Sequence, residues 1–118
     1  MSIPRIVDIH EQGTADALMI PMDVVEAEQL AELLQAIGDP VRLRILTALD
    51  TACVPVGAIV AKTGLRQSTV SHHLRVLRDR GLVTADRRGA YVYYCCASDD
   101  IHPTLDLARG LLHSRNRP

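Results

Sequence analysis

Apolar residues recur along this chain at helical intervals, broken at a few points by glycine and proline. From Asp23 the positions Leu30, Leu33, Leu34 and Ile37 lie on one face of a 3.6-residue period, and Gly38 closes the run. Asp39-Pro40 follows at once. A short carboxylate can cap a helix start, and proline has the fixed φ that suits the first helical position, so a second helix begins there with Leu43, Leu46 and Leu49 on its inner face. The pattern resumes at Pro55 and Val56 with Ile59 and Val60, stops at Gly64, and restarts with Val70, Leu74 and Leu77 at i, i+4 and i+7. Thr69, Ser71, His72, Arg75 and Arg78 are then directed elsewhere. Two helices joined by a short glycine turn, the second polar and basic on its outer side, predict a helix-turn-helix with a recognition helix.

Beyond Gly81 the periodicity changes. Leu82, Val83 and Thr84 start a strand, Arg87-Arg88-Gly89-Ala90 makes a tight basic turn, and Tyr91 to Cys96 is rich in β-formers. A hairpin placed directly after a recognition helix is a wing. Pro103 suits a helix start, and Leu105, Ala108, Leu111 and Leu112 give a last amphipathic helix. The expected fold is mostly α with a small β-hairpin wing, a winged helix-turn-helix. Residues 1–21 carry Pro4, Gly13 and Pro21 without sustained periodicity and read as an arm, with a short helical piece near 14–19. Residues 22–114 are expected to form the winged helix-turn-helix domain, and 115–118 a tail.

Composition sharpens this picture in three ways. At 118 residues the chain is one domain's worth, and with 47% hydrophobic residues but no Phe or Trp its core must be aliphatic. The sequence has no apolar run of about 18 residues and no secretory start, which predicts a cytoplasmic protein without a membrane partner. Three cysteines, an odd number, point away from a disulfide framework and towards buried thiols, redox chemistry or metal binding.

The formal net charge of −1 conceals a segregation. Residues 62–91 hold seven basic residues against two acidic ones, whereas residues 1–61 hold nine acids against three bases. A basic segment on an acidic body is an electrostatic footprint for nucleic acid.

Three stretches, LLQAIGDPVRLRILTAL (33–49), GLRQSTVSHHLRVLRDRGLV (64–83) and RRGAYVYY (87–94), resemble the ArsR/SmtB family of bacterial metal- and stress-responsive repressors. The likeness extends over about residues 24–113. It implies a homodimer, joined through the first and last helices, that binds double-stranded operator DNA and leaves it when an inducer binds; it implies no enzyme. A two-fold dimer would match a palindromic operator, with its recognition helices one DNA turn apart. Gln67, Ser68, Thr69, Ser71, His72 and Arg75 are assigned to the DNA, because short polar side chains near a helix N-terminus can reach base edges and phosphates. Arg87 and Arg88, at the hairpin tip, are assigned to the backbone or minor groove.

The paired histidines look at first like a metal site. Adjacent helical residues lie about 100° apart and do not clasp one ion, so His72 is assigned to the DNA side and His73 to the packed side. Two other constellations compete for the inducer. A short strand at Ala52-Cys53-Val54, paired with the end of Tyr91–Cys96, would gather Cys53, Cys95 and Cys96, three thiolates suited to arsenic(III), cadmium, lead or mercury. Neighbouring strand residues point to opposite faces, and the alternative reading is a redox or persulfide switch formed by two of the three. The second constellation is Asp100, His102 and His113, similar to the family's zinc site on its C-terminal helix, with Asn116 where a fourth ligand is expected. The two histidines are about 16 Å apart along the helix and would meet only across an antiparallel pair of final helices. No constitutive cofactor is expected in either case.

Overall fold

The structure is a computed structural model that describes residues 20–49 and 52–116, so the arm, with its expected helical piece, falls outside the described residues. Five helices and three strands follow in the order α1 (Val24–Ile37), α2 (Pro40–Ala48), β1 (Val54–Pro55), α3 (Val56–Thr63), α4 (Gln67–Asp79), β2 (Val83–Arg88), β3 (Tyr91–Cys96) and α5 (Ile101–Arg115).

The chain divides into two units after Glu32, within α1. In the first, the Asp23 carboxylate accepts the Glu26 backbone N–H at 2.8 Å and so caps the opening turn of α1. The remaining elements belong to the second unit. There Asp39 caps α2 by accepting the N–H groups of Val41 and Arg42, both at 3.0 Å, with Pro40 as the first helical residue. These bonds hold the Asp39 carboxyl below its ordinary range, the one from Arg42 contributing most. Gly64, at φ 71°, closes α3 in a left-handed conformation that glycine adopts without a steric penalty.

The core is aliphatic, as the composition requires. Ile45, Leu46 and Leu49 of α2 and its end, Ile59 of α3, and Val70, Leu74 and Leu77 of α4 are all buried, and Leu82, Val83, Ile101 and Leu105 close the cluster from below the wing and from α5. One expectation shifts here. Leu43 stands on the exposed side of α2 and Ile45 takes the interior place, because the buried stripe runs through 45, 46 and 49 rather than 43, 46 and 49. Leu43 instead faces an open apolar groove shared with Leu105, Ala108 and Leu112.

The wing is one antiparallel sheet in the order β1-β3-β2. Val83 pairs with Cys96 and Arg88 with Tyr91, so the turn is only Gly89-Ala90 and both arginines are strand residues, not turn residues. Gly89 has φ 63° at the first central position, the conformation that a two-residue hairpin loop asks of glycine there. Strand alternation divides the sheet into two faces. Val83, Ala85, Arg87, Val92, Tyr94, Cys96 and Val54 share one face, whose base packs on the core; Thr84, Asp86, Arg88, Tyr91, Tyr93, Cys95 and Cys53 share the other.

Arg42 braces the helix-turn-helix from behind. Its Nε donates to the Ala36 carbonyl at 2.6 Å and its Nη2 to that of Gln35 at 3.5 Å, satisfying acceptors at the C-terminal end of α1. Its Nη1 lies 3.4 Å from His73 Nδ1 on α4. Guanidinium only donates, so His73 accepts through Nδ1 and is neutral. His73 therefore supports the helix, as its place beside Leu74 suggested. Burial, followed by the Arg42 charge, pushes the imidazole below its ordinary value, against the opposing pull of Asp39.

Two outcomes follow for stability. Leu46→Ala, at a position with 0% exposure, is expected to cost about 2–5 kcal/mol in urea unfolding. The depressed His73 pKa means that below the ordinary histidine value of 6.5 the unfolded chain takes up a proton that the folded chain refuses. Stability from this group is complete above that pH and declines as the pH falls through the window beneath it. Comparing urea midpoints at neutral and mildly acidic pH, His73→Gln should show a shallower acid loss than the wild type; an equal slope would remove His73 as its source.

Candidate nucleic-acid interface and thiol site

Helix α4 buries Val70, Leu74 and Leu77 and leaves Gln67, Ser68, Ser71, His72, Arg75 and Arg78 exposed, with Thr69 half-buried at the margin. The Arg66 side chain makes no capping bond, so the first-turn N–H groups of α4 are not closed off by the residue before them. A helix start in this condition favours a phosphate oxygen. An open cleft separates α4 from the wing, lined among others by Gln67 and Ser71 on one side and Ala90, Tyr91 and Val92 on the other. The recognition helix and wing thus flank one groove.

The wing arginines differ from each other. Arg87 pairs across the sheet with Val92, on the face that includes this cleft's wall. Arg88 points to the opposite face, where its Nε donates to the Asp86 carboxylate at 2.9 Å and its guanidinium lies 4.9 Å from the centre of the Tyr93 ring. Both partners of that ion pair are more than half exposed, so it contributes little and a phosphate can compete for the arginine. Lys62, counted in the basic segment, donates through Nζ to the Ala48 carbonyl at 3.1 Å and serves the end of α2. Sequence reasoning did not anticipate this use, or the Arg42 brace, because both depend on contacts between distant segments.

The three cysteines separate. Val54 pairs with Tyr94, which sets Cys53 directly opposite Cys95, and these two form a disulfide with Cα atoms 4.4 Å apart. Cys96 lies on the core face and is a free thiol. Its Sγ is 3.7 Å from His102 Nε2, and burial pushes the thiol pKa up. The expected gathering of Cys53, Cys95 and Cys96 is therefore corrected to a pair and a singleton. β3 stays regular to its end, and regular pleating sends residues 95 and 96 to opposite sides.

The Asp100, His102 and His113 set is also apart within one chain. Asp100 is the exposed N-cap of α5, His102 is half-buried with Nε2 donating to the Leu46 carbonyl at 2.9 Å, and His113 is exposed in the last turn. Among the described residues no group of three or more His, Cys, Asp or Glu side chains is placed to hold a metal ion. Neither set, as it stands in a single chain, fits a multidentate ion site. Among the described residues, too, no helix is long and apolar enough to cross a membrane.

Comparison with known proteins agrees with the architecture. A family model described as a helix-turn-helix domain matches residues 37–85. The chain is 42% identical over 96 residues to the HTH-type transcriptional regulator NmtR of Mycobacterium tuberculosis, covering 81% of this chain and 78% of that one. It is 39% identical over 80 residues to a transcriptional repressor SmtB homolog of Synechocystis, covering 68% of this chain and 61% of that protein. Among solved structures, the homodimeric winged helix-turn-helix DNA-binding domain of a possible ArsR-family transcriptional regulator from Mycobacterium bovis aligns with TM-score 0.69 and 28% identity, over 84% of this chain and 94% of that one. With its helix-turn-helix, its three-stranded wing and these relatives, the chain belongs to the ArsR/SmtB family of winged helix-turn-helix transcriptional regulators.

Proposed function

We propose that this protein is a homodimeric repressor that places α4 in the major groove of a palindromic operator and releases it in response to a signal read at cysteine thiols. The observation that carries the DNA reading is the division of α4: three apolar residues wholly inside, and a continuous polar and basic face outside, beside the wing. Gln67, Ser71 and Arg75 reach base edges, Ser68, Thr69 and His72 serve at the groove margin, and Arg87 and Arg88 neutralise backbone phosphates.

The dimer reading is supported by leucines that a single chain leaves in water. Leu107 and Leu111 of α5 are 76% and 73% exposed, and Leu33 and Leu34 of α1 are also exposed. Burying such side chains against a second copy would recover roughly 1.5–3 kcal/mol for each one fully covered. The relative from Mycobacterium bovis is homodimeric, which favours the same assembly here.

For the signal, Cys53 and Cys95 offer two sulfurs on one face, a set for a thiophilic ion that accepts two thiolates when the pair is reduced. A second reading places zinc or a similar ion between two copies of α5, and the exposure of His113 at the helix end favours it. The two separate on titrating arsenite, cadmium and zinc into the protein–DNA complex. Release by a soft ion that disappears in Cys53→Ser and Cys95→Ser supports the thiol pair, whereas release by zinc that disappears in His113→Ala supports the α5 site.

Arg75→Ala is expected to weaken DNA binding by about 1–3 kcal/mol without unfolding the protein and to relax specificity at the base it reads. Unchanged affinity and unchanged discrimination between operator variants in fluorescence anisotropy would remove Arg75 from the interface. Leu107→Glu with Leu111→Glu should convert the dimer to a monomer in sedimentation and abolish tight binding to a two-half-site duplex; a dimer that persists would place its contact elsewhere.

A further inference from the structure

The Cys53–Cys95 pair occupies a mechanically specific position. Cys53 immediately precedes β1, and β1 is only two residues long. Its last residue, Pro55, is the N-cap of α3, the first helix of the helix-turn-helix. Cys95 lies near the base of β3, the strand that runs back from the wing tip between β1 and β2. The bond joins residues 42 apart in sequence and so closes a loop that contains both helices of the helix-turn-helix and nearly the whole wing.

We propose that Cys53 and Cys95 form a reversible thiol–disulfide site through which a hydroperoxide-class oxidant lowers the affinity for operator DNA, by fixing the base of the wing to the start of α3. The proposal rests on the operator-binding reading above and gives the same thiol pair an oxidant, in place of an ion, as its input. The Cα separation of 4.4 Å is both within the range a disulfide requires and close to that of a narrow pair in an antiparallel ladder, about 4.5 Å. Continuing the register Val54 to Tyr94 by one residue sets Cys53 and Cys95 opposite each other. Both residues are half-buried, which leaves a route for a small oxidant. Cys96 is held out of the reaction by its place on the other face, against His102 and the core.

The chemistry balances with one oxidant. A thiolate of the pair attacks the peroxide oxygen, the O–O bond breaks, and an alcohol, or water from hydrogen peroxide, leaves with the proton. The resulting sulfenic acid is attacked by the second thiol, forming the S–S bond and releasing water. Two sulfurs lose one electron each and the peroxide gains two.

The direction follows from the setting of a DNA regulator. Compartments that hold DNA are kept reducing, so the dithiol is the resting form and, for a repressor, the form that holds the operator. With the dithiol, the wing is joined to the start of α3 by the short β1·β3 ladder, and the wing can adjust as α4 enters the groove. The disulfide removes that freedom.

The test uses the full-length reduced protein to select duplexes from a random-sequence library, then measures its affinity for a selected duplex when reduced, after hydrogen peroxide, and after re-reduction with dithiothreitol. The oxidised protein should bind about tenfold more weakly, in the usual range for coupled sites, lose two hydrogens in intact mass, and recover fully on re-reduction. Cys53→Ser and Cys95→Ser should bind like the reduced wild type and ignore peroxide, while Cys96→Ser should respond like the wild type. Equal or tighter binding by the oxidised form overturns the proposal and leaves the repressor reading standing, as does a response that persists in Cys53→Ser or vanishes in Cys96→Ser. If the reduced protein selects no duplex, the repressor reading fails and the switch fails with it.

Discussion

The packing of Val70, Leu74 and Leu77 against Ile45, Leu46 and Ile59 is the constraint on which the rest of the molecule depends. These side chains are at or near zero exposure, and they come from three different helices. Their burial fixes the rotation of α4 about its own axis, and rotation decides which residues face outward. A helix has one buried stripe to give. Once Val70, Leu74 and Leu77 occupy it, Gln67, Ser71 and Arg75 are presented together on the opposite side without any interaction that selects them directly. The interface is thus a by-product of the core, and the Arg42–His73 brace secures the same orientation from the flank.

A second constraint, the two-residue repeat of β structure, governs the wing. It gives Arg87 and Arg88 different faces and different partners. It also sorts the two adjacent cysteines, one outward against Cys53 and one inward against His102. The chemistry available to each sulfur is set by this parity more than by local composition. Burial pushes the Cys96 thiol pKa up, while Cys95 has a partner in bonding range.

Most of the fold was legible in the sequence because its signals are local. Asp39-Pro40, Gly64 and the i, i+4, i+7 apolar triplet of α4 each specify a boundary or a face within a few residues. The pairing of Cys53 with the end of the wing was also legible, since a strand ahead of α3 had one place to go. What was not legible depended on competition between distant groups. The choice of Ile45 over Leu43 for the interior, the use of Lys62 to satisfy the Ala48 carbonyl, and the capture of His102 by Leu46 were all decided by tertiary geometry. The three-thiolate cluster was misjudged at one point: it needed the end of β3 to lose its pleat, and ladder pairing of Cys96 with Val83 keeps it.

The adjacency of Cys95 and Cys96 has a bearing on how this wing tolerates change. A one-residue deletion in the Gly89-Ala90 turn that shifted β3 by one place would set Cys96 opposite Cys53 and Ala97 in the place beside His102, whereas an insertion would set Tyr94 opposite Cys53 and Cys95 beside His102. Either would, however, turn Tyr94 and Val92 out and Tyr93 in. The doubled cysteine therefore keeps a sulfur opposite Cys53 after a deletion but not after an insertion, and the packing of Val54 and Tyr94 against the core opposes either shift. A wing shortened by one residue would thus keep a thiol pair at its base while using Cys96 in place of Cys95.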